Sequence, residues 1–410
     1  MLKLYNTMSR AKEVFRPRKQ GMVKIFTCGP SIYRRPHIGN YRTFMYEDLL
    51  VKYLEYRSYR VDRAIPLTDI EDKTIIEARR KNKKIDDLTR EIEKIFVSES
   101  RSLDIDLPEK TQRSSECVRC AVSLIQDLMA KGFAYRYGRD IFFDPLKFKD
   151  FGKLYRLDKS RWPKKKVRFK RDTYHGNRWN LGDFILWHGY RDGDIKWWDT
   201  EIGKGRPSWN IQDPLVIIEH LGPEIDINCG GIDNIYRHHD YNIAIMEAHT
   251  GGTFANYYLH GEHLVVEGKT MSKSRGNIIY PGDLYSRRCK PRELRFFLFY
   301  THYRKKLNFT RERFKESCAR VEAFRQTAKR LITGASPPAG SDSRVGDLIS
   351  SIQKEFESGM NDDLNAGAAF DGIFDVLLKL EELKSRMRKS DGRALEKILK
   401  KIDSVFGILF

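Results

Sequence analysis

The sequence has no long apolar run and few cysteines. None of its hydrophobic segments approaches the roughly 20 residues that a membrane-spanning helix needs. The first segment, MLKLYNTMSRAKEVFRPRKQ, lacks the apolar stretch of a secretory signal. The six cysteines are scattered over 410 residues, which argues against a disulfide framework: Cys28, Cys117, Cys120, Cys229, Cys289 and Cys318. We therefore expect a soluble, cytoplasmic protein with no membrane partner.

Two of these cysteines, Cys117 and Cys120, form a C-x-x-C pair without a second pair elsewhere. They lie in CVRCAVSLIQDLMAKGFAY, where the apolar residues follow helical spacing. A metal or redox site is one interpretation of the pair. Structural cysteines in a helix over residues 114–132 are the interpretation that the missing second pair favours.

Acidic residues are outnumbered. The chain carries 76 Lys and Arg against 56 Asp and Glu, for a net charge of +20. Such an excess indicates a polyanionic partner such as RNA, although a generally basic proteome would also produce it. Two segments, WPKKKVRFKRD and YRKKLNFTRERFK, place cations beside aromatics, as phosphate contacts and base stacking require. The predicted RNA-binding residues are Lys164, Lys165, Lys166, Arg168, Lys170, Arg171, Arg304, Lys305 and Lys306.

The order of apolar and charged segments predicts three parts. Strand-like and helix-like segments alternate from Met22 to about Leu103, which is typical of an α/β fold with a parallel, doubly wound sheet. We predict a Rossmann-type core over residues 1–100 and 216–290, an α+β insertion over 101–215, and an α-helical bundle over 291–410. The Gly/Ser/Pro stretch 333–343 reads as a loop between helices.

The stretch CGPSIYRRPHIGN, residues 28–40, stands between a predicted strand and a predicted helix. A strand end, a tight turn and a helix N-terminus make an anion site in open α/β sheets. Gly39 permits close approach of a ligand to the backbone, and His37 and Asn40 offer donors beside it. Taken alone, the motif fits helix capping equally well.

A second motif, LVVEGKTMSKSRGN at residues 264–277, resembles a cationic loop between glycines. Lys273 suits a triphosphate and the charge that develops on departing pyrophosphate. A solvated surface loop would explain this motif by itself. It does not explain why HIGN and MSKS occur in one chain, each after a strand, so we predict a nucleotide site.

These motifs resemble those of class I aminoacyl-tRNA synthetases, specifically the cysteinyl-tRNA synthetases, along nearly the whole chain. The matching segments are CGPSIYRRPHIGNYRTF, PLTDIEDKTI, NLGDFILW, GRPSWNIQDP, CGGIDNIYRHHDYNIA, TMSKSRGN, THYRKKLNF and NDDLNAGAAFDGIF. One departure is that Thr270 stands at the first lysine of the KMSKS signature, with Lys269 beside it.

The resemblance implies roles in activating an amino acid with ATP. His37, Asn40 and Lys273 would bind ATP and stabilise the transition state of adenylation, without a covalent enzyme intermediate. Magnesium would accompany ATP. Further ATP contacts would come from Gly39, Asp233, Met271, Ser272 and Ser274. A turn or cap role is the alternative for Asp233.

The amino-acid pocket departs from the family pattern, in which two cysteines, a histidine and a glutamate hold zinc. Cys28 and His238 match, but Asp213 and Asn242 stand at the second cysteine and the glutamate. Asn228 replaces a pocket histidine, and Cys229 replaces a glycine. The resemblance assigns Gly29, Thr68 and Trp209 to the same pocket.

Two interpretations of this pocket remain open. Cys28, Asp213 and His238 form a three-ligand zinc site in one of them. In the other there is no metal, and Asp213, Asn228 and Asn242 bind a different side chain. Exchanging thiolate for carboxylate weakens zinc binding, so we expect little or no zinc.

The expected activity is formation of an aminoacyl-adenylate and transfer to the 3′ end of a tRNA, by a monomer. Full-length members of the family carry an anticodon-reading domain after the helical bundle, whereas this sequence stops at SVFGILF. Contact with the tRNA acceptor arm is therefore expected. In that respect the chain is similar to the mycothiol-pathway ligase. Transfer to a small-molecule amine or a protein is therefore an alternative, and a non-catalytic RNA-binding module is another.

Overall fold

The computed structural model describes residues 1–172, 182–285, 290–334 and 342–410. The strands in these residues are β1 (Lys3–Asn6), β2 (Ala11–Val14), β3 (Met22–Phe26), β4 (Arg60–Leu67), β5 (Thr111–Arg113), β6 (Ala134–Tyr137), β7 (Asp140–Phe143), β8 (Arg168–Phe169), β9 (Asp183–Gly189), β10 (Gly205–Pro207), β11 (Ile225–Gly231), β12 (Ala255–Gly261), β13 (Leu264–Val266), β14 (Lys269–Thr270) and β15 (Leu307–Phe309). Cys289 and most of the loop predicted over 333–343 lie outside the described residues.

The α-helices of the described residues are interspersed with the strands up to β15 and follow one another from α9 onward. They are α1 (Ile38–Tyr56), α2 (Asp72–Arg80), α3 (Ile85–Ser102), α4 (Val118–Ala130), α5 (Trp209–Leu221), α6 (Asp240–Thr250), α7 (Pro281–Tyr285), α8 (Pro291–Tyr300), α9 (Arg311–Thr333), α10 (Ser343–Asn361), α11 (Ala366–Glu382) and α12 (Lys389–Phe406). None of them combines the length and hydropathy that crossing a bilayer requires.

The central sheet is parallel, as the alternation of segments predicts. Its strand order is β12–β11–β3–β4–β5, and each neighbouring pair runs in the same direction. The chain builds β4 and β5 on one side of β3 and β11 and β12 on the other. The crevice between β3 and β11 is thus the switch point at which open α/β sheets bind ligands. The predicted α/β fold class is confirmed.

Two apolar clusters cover the faces of this sheet, as parallel strands require. One contains residues of α1 and of the C-terminal helices, with Ile25 and Ile227 from the strands. The other contains residues of α4, α5 and α6 and of the insertion, with Phe26 and Ala64. The sheet is therefore enclosed, and its carboxyl edge remains open for a site.

The insertion has its own antiparallel sheet, with β7 pairing β6 and β9, and β9 pairing β10. Two elements lie near the predicted ends of the insertion. Strand β5 completes the core sheet by pairing with β4, although it falls after residue 101. Helix α5 begins at Trp209, so the boundary at 215 falls inside a helix.

The C-x-x-C pair begins helix α4, close to its predicted start. Cys117 is buried, Cys120 is half-buried, and neither is in a disulfide. Burial raises the pKa of Cys117 to about 12 and that of Cys120 to about 11. Such thiols stay protonated, which supports the structural interpretation.

The C-terminal part, predicted to be helical throughout, consists of α8 to α12 plus one short strand. Strand β15 pairs in parallel with β13, next to the MSKS loop. Arg295 of α8 is completely buried and joins the helices to the core. Its Nη2 donates to Asp48 Oδ2 at 2.9 Å and its Nη1 to the carbonyl of Leu103 at 2.8 Å.

Candidate active site

A cavity of about 460 Å³ opens at the carboxyl ends of β3, β4 and β11, at the switch point of the sheet. Most of the residues predicted from the two motifs and from the family resemblance line it. They are Cys28, Gly29, His37, Asn40, Thr68, Trp209, Asp213, Asp233, His238, Ser272 and Lys273. The sequence thus anticipated one site from segments that lie far apart in the chain.

His37 both caps helix α1 and lines the cavity. Its Nδ1 accepts hydrogen bonds from the backbone N–H groups of Gly39 and Asn40 at 3.1 and 3.3 Å. The Asn40 Oδ1 accepts in return from the backbone N–H of His37 at 3.0 Å. Burial lowers the pKa of His37. A neutral ring that accepts at Nδ1 carries its hydrogen on Nε2, so His37 offers an N–H donor to a ligand. The capping and nucleotide-site interpretations are therefore compatible.

Gly39 brings the two motifs into contact. A Cβ at this position would come within 2.7 Å of Met271 Cε. The backbone N–H of Ile38 donates to the carbonyl of Ile279 at 3.0 Å, just beyond the MSKS loop. A larger residue at 39 would require the end of the Met271 side chain and the His37 ring to shift, which gives a packing reason for the glycine.

Lys273 stands at the start of a short 3₁₀ turn, exposed to solvent at the cavity rim. The loop is held by its own polar groups, since Asn277 Oδ1 accepts from the N–H of Ser272 at 2.9 Å. Ser274 is outside the cavity lining, and its hydroxyl lies 3.2 Å from that of Ser272. Gly39 and Met271 are outside the lining too and contribute through their mutual contact.

Three further cationic side chains line the cavity, although the sequence-based prediction did not include them: Arg34, Arg35 and Lys73. Glu77 accepts from Arg34 at 3.0 Å and Glu99 from Arg35 Nε at 2.9 Å, which fixes both guanidinium groups. The sequence carried a signal for all three. Arg34 and Arg35 belong to CGPSIYRRPHIGN, and Lys73 belongs to PLTDIEDKTI.

Asp213, His238 and Asn242 form a contiguous polar group at the other end of the cavity. Asp213 Oδ2 accepts from His238 Nε2 at 2.6 Å and from Asn242 Nδ2 at 3.2 Å. Burial alone would raise the pKa of Asp213, but the His238 ring and the Asn242 amide hold it below its usual value. Trp209 stacks on His238 with ring centres 4.0 Å apart and an interplanar angle of 14°.

Asn228 and Asn242 are outside the cavity lining and completely buried. Asn242 reaches the cavity through its bond to Asp213. Both side-chain polar atoms of Asn228, and Oδ1 of Asn242, lack a hydrogen-bond partner among the described residues. Buried polar atoms in that state are uncommon in folded proteins and mark a place where a ligand or water completes the bonding.

The residues at this end do not fit a zinc ion. Cys28 Sγ lies 3.6 Å from the carbonyl of Gly29 and accepts from Asn234 Nδ2 at 3.7 Å. Burial raises the pKa of Cys28 well above its ordinary value, and the carboxylates of Glu47, Asp213 and Asp233 raise it further. Asp213 and Asn242 stand where the family pattern has a thiolate and a carboxylate; the first exchange weakens zinc binding, and a neutral amide is a poor zinc ligand.

The donor atoms of Cys28, Asp213 and His238 also fail to converge. Among the described residues, the only group of three or more potential ligands within 4.8 Å of one another is Asp72, Asp172 and His188. That group already contains a cation, because Arg206 pairs with Asp72 and lies 3.7 Å from Asp172 Oδ2. Asp172 also accepts from the backbone N–H of Trp209 at 3.3 Å, so the network supports the pocket wall.

The predicted RNA-binding residues divide into two groups. Lys164, Lys165, Lys170, Arg171, Lys305 and Lys306 are exposed. The others are engaged within the protein. Lys166 pairs with Asp144 at 2.7 Å, Arg168 Nε donates to Tyr135 at 2.9 Å, and Arg304 Nε donates to the buried Asp363 at 2.6 Å. Arg304 in particular is held by a buried carboxylate, which indicates a structural role in addition to the predicted RNA contact.

The sequence matches known proteins along its whole length. The family of the class I (C) tRNA synthetase catalytic domain matches residues 14–319. A cysteine–tRNA ligase of Chlamydia pneumoniae is 35% identical over 415 residues, covering 100% of this chain and 86% of the relative. One of Leptospira interrogans is 32% identical over 415 residues, covering 100% of this chain and 87% of the relative.

Solved structures share the fold at lower identity. Methionyl-tRNA synthetase of Mycobacterium tuberculosis with bound methionyl-adenylate has a TM-score of 0.67 at 13% identity and covers 94% of this chain and 90% of its own. The complex of Agrobacterium radiobacter leucyl-tRNA synthetase with tRNA and LeuAMS has a TM-score of 0.69 at 11% identity, covering 96% and 85%. The motifs of this chain line one cavity, and the two cysteine–tRNA ligases match it over its full length. The chain therefore belongs to the cysteinyl-tRNA synthetase family of class I tRNA synthetases, which are ATP-dependent ligases.

Proposed function

We propose that the protein joins an amino acid to AMP and then transfers the aminoacyl group to the 3′ end of a tRNA. The observation that carries this proposal is a single cavity with two chemically distinct ends. His37, Asn40 and Lys273 lie at one end, and Trp209, Asp213 and His238 lie at the other. ATP fits the first end and an amino acid fits the second.

The reaction requires positioning and charge stabilisation rather than a covalent enzyme intermediate. The carboxylate of the amino acid attacks the α-phosphate of ATP, and pyrophosphate leaves. His37 Nε2–H and Asn40 donate to the phosphates, and Lys273 neutralises charge on the leaving group. Arg34, Arg35 and Lys73 add positive charge on the same wall. Mg²⁺ accompanies ATP as its counterion.

The exposed cations support tRNA as the acceptor. Lys164, Lys165, Lys170 and Arg171 form one exposed basic segment in the insertion. Lys305 and Lys306 form another, beside the helical part. With a net charge of +20, the protein suits a polyanion, whereas a small-molecule amine needs no basic surface.

The proposal is tested by tRNA binding as a function of salt. Whole tRNA and an acceptor-stem minihelix are titrated by fluorescence anisotropy at several salt concentrations. Replacing Lys164, Lys165 and Lys170 with alanine is expected to reduce the slope of log K against log salt by roughly one unit per lost phosphate contact. Lys166 is kept, because it pairs with Asp144.

A charge-matched control replaces Lys329, Lys354 and Lys397, which are exposed on α9, α10 and α12. This variant removes the same charge and should keep a slope near that of the wild type. Comparable affinity for tRNA and minihelix supports contact with the acceptor arm. If neither RNA binds at low salt, the acceptor is not tRNA, and transfer to a small molecule becomes the better interpretation.

A further inference from the structure

The side-chain end of the cavity combines the Asp213 carboxylate with buried atoms that lack a partner among the described residues: Asn242 Oδ1, Asn228 Oδ1 and Nδ2, and His238 Nδ1. Asp213 directs Oδ2 to His238 and Asn242, and no described residue donates to its Oδ1. Asn242 Oδ1, buried beside it, has no partner among the described residues either. A buried acceptor left without a donor costs about 1–3 kcal/mol, so a ligand that supplies a donor here is favoured.

The same end is held rigidly in place. Trp209 stacks on His238 at 4.0 Å, and His238 donates to Asp213 at 2.6 Å. The backbone of Trp209 is bonded to Asp172, which is fully buried and also contacts His188 at 3.0 Å. Asp213 therefore presents its free oxygen from a fixed position, and a fixed acceptor discriminates between side chains better than a mobile one.

We propose that this pocket selects an amino acid whose side chain ends in an N–H or O–H donor, and that Asp213 recognises this donor directly, without a metal. The inference rests on the proposed function and adds the class of substrate to it. A thiol is a weak donor, whereas a hydroxyl, an amide or an amine is a strong one. Serine, asparagine and 2,3-diaminopropionate belong to the favoured class, and cysteine and alanine do not.

The size of the expected selectivity follows from the burial of Asp213. A site that hydrogen-bonds a substrate group rejects analogues lacking that group by roughly 10⁴–10⁵-fold, because its own polar atoms are then left unpaired. Methyl-sized differences in an apolar pocket give only roughly 10–200-fold. A strong preference for a donor over an isosteric side chain therefore distinguishes the two kinds of pocket.

The test is ATP–pyrophosphate exchange with the twenty standard amino acids and 2,3-diaminopropionate, with and without 1,10-phenanthroline. The best substrate is expected to end in an N–H or O–H donor, and its exchange to resist the chelator. Asp213→Asn should lower kcat/KM for that substrate by roughly 10- to 100-fold, the scale of one hydrogen bond to a charged group, and reduce its preference over alanine.

Asp233→Asn is the matched control, since it makes the same chemical change at the other carboxylate of the cavity. It should alter exchange with all amino acids by a similar factor and leave their ratios unchanged. Cysteine or an apolar amino acid as the best substrate, or exchange abolished by the chelator, would overturn the inference while leaving the proposed function standing. Absence of exchange with every amino acid would remove both.

Discussion

Replacing Arg304 with alanine separates the role that its sequence context predicts from the role that its contacts in the structure indicate. The residue lies in YRKKLNFTRERFK, which predicts a phosphate contact. In the structure its Nε donates to Asp363 at 2.6 Å, and Asp363 is completely buried. The guanidinium also lies 4.2 Å from the centre of the Tyr5 ring.

The cost of the substitution follows from what Asp363 keeps. Its Oδ1 still accepts from the backbone N–H of Tyr5 at 2.8 Å and from Tyr303 at 2.7 Å. The loss is therefore one charge-assisted hydrogen bond, about 1.5–3 kcal/mol, and a cation–π contact of about 0.5–1 kcal/mol. Because Arg304 is 31% exposed, solvent screens part of this, and we expect the free energy of unfolding to fall by about 2 kcal/mol.

Urea unfolding followed by circular dichroism measures this change, with Lys305→Ala as the neighbouring control. Lys305 is exposed, so its replacement should change stability by about 0.5 kcal/mol or less. The salt slope of tRNA binding should be unchanged in Arg304→Ala and reduced in Lys305→Ala. Wild-type stability together with a reduced slope in Arg304→Ala would refute the structural role and restore the phosphate contact.

Three other substitutions or measurements test separate parts of the site. Lys273→Ala should slow adenylate formation by roughly 10²–10³-fold in single-turnover assays, the scale for one transition-state contact, and an unchanged rate would remove its assigned role. Elemental analysis of the purified protein should find substoichiometric zinc, whereas stoichiometric zinc that is lost in Cys28→Ala would make cysteine the expected substrate. Glu77→Gln tests the support of Arg34. Hydrogen bonds from Arg80 and Arg34 lower the pKa of Glu77 from 4.5 to about 2, so wild type should lose its stability advantage over the variant as pH falls through this range, at up to about 1.4 kcal/mol per pH unit. A pH-independent difference would contradict that assignment.

The fold class and the position of the site could be predicted from the sequence because both depend on local sequence patterns. The alternation from Met22 onward predicts β3, α1 and β4, and motifs at strand ends in a parallel sheet meet at one edge. HIGN and MSKS, which are predicted to serve one nucleotide site, contribute His37 and Lys273 to the lining of the same cavity.

Ion pairs and strand pairs between residues far apart in the sequence could not be predicted in this way. Nothing near Arg304 indicates that Asp363 is its partner, and nothing near Lys166 indicates Asp144. Strand β15 is three residues long and exists because it pairs with β13, which no local pattern encodes. In each case a basic or apolar segment takes its role from a distant part of the chain.

The arrangement of the amino-acid pocket could not be predicted from local sequence patterns either. The sequence singled out Cys28, Asp213 and His238 as possible ligands, which chemistry alone permits. Whether they converge depends on the geometry of three separate elements. The structure joins Asp213 to His238 and leaves Cys28 bonded to Asn234 instead.

The most direct test of the proposed adenylation is to identify what the protein makes from ATP. Purified protein is incubated with Mg²⁺, ATP, inorganic pyrophosphatase and a mixture of amino acids, and the acid-quenched reaction is analysed by mass spectrometry. We expect an aminoacyl-adenylate whose side chain ends in an N–H or O–H donor, formed by wild type and strongly reduced in Lys273→Ala. Intact ATP with no aminoacyl-adenylate, from protein shown to be folded, would contradict it.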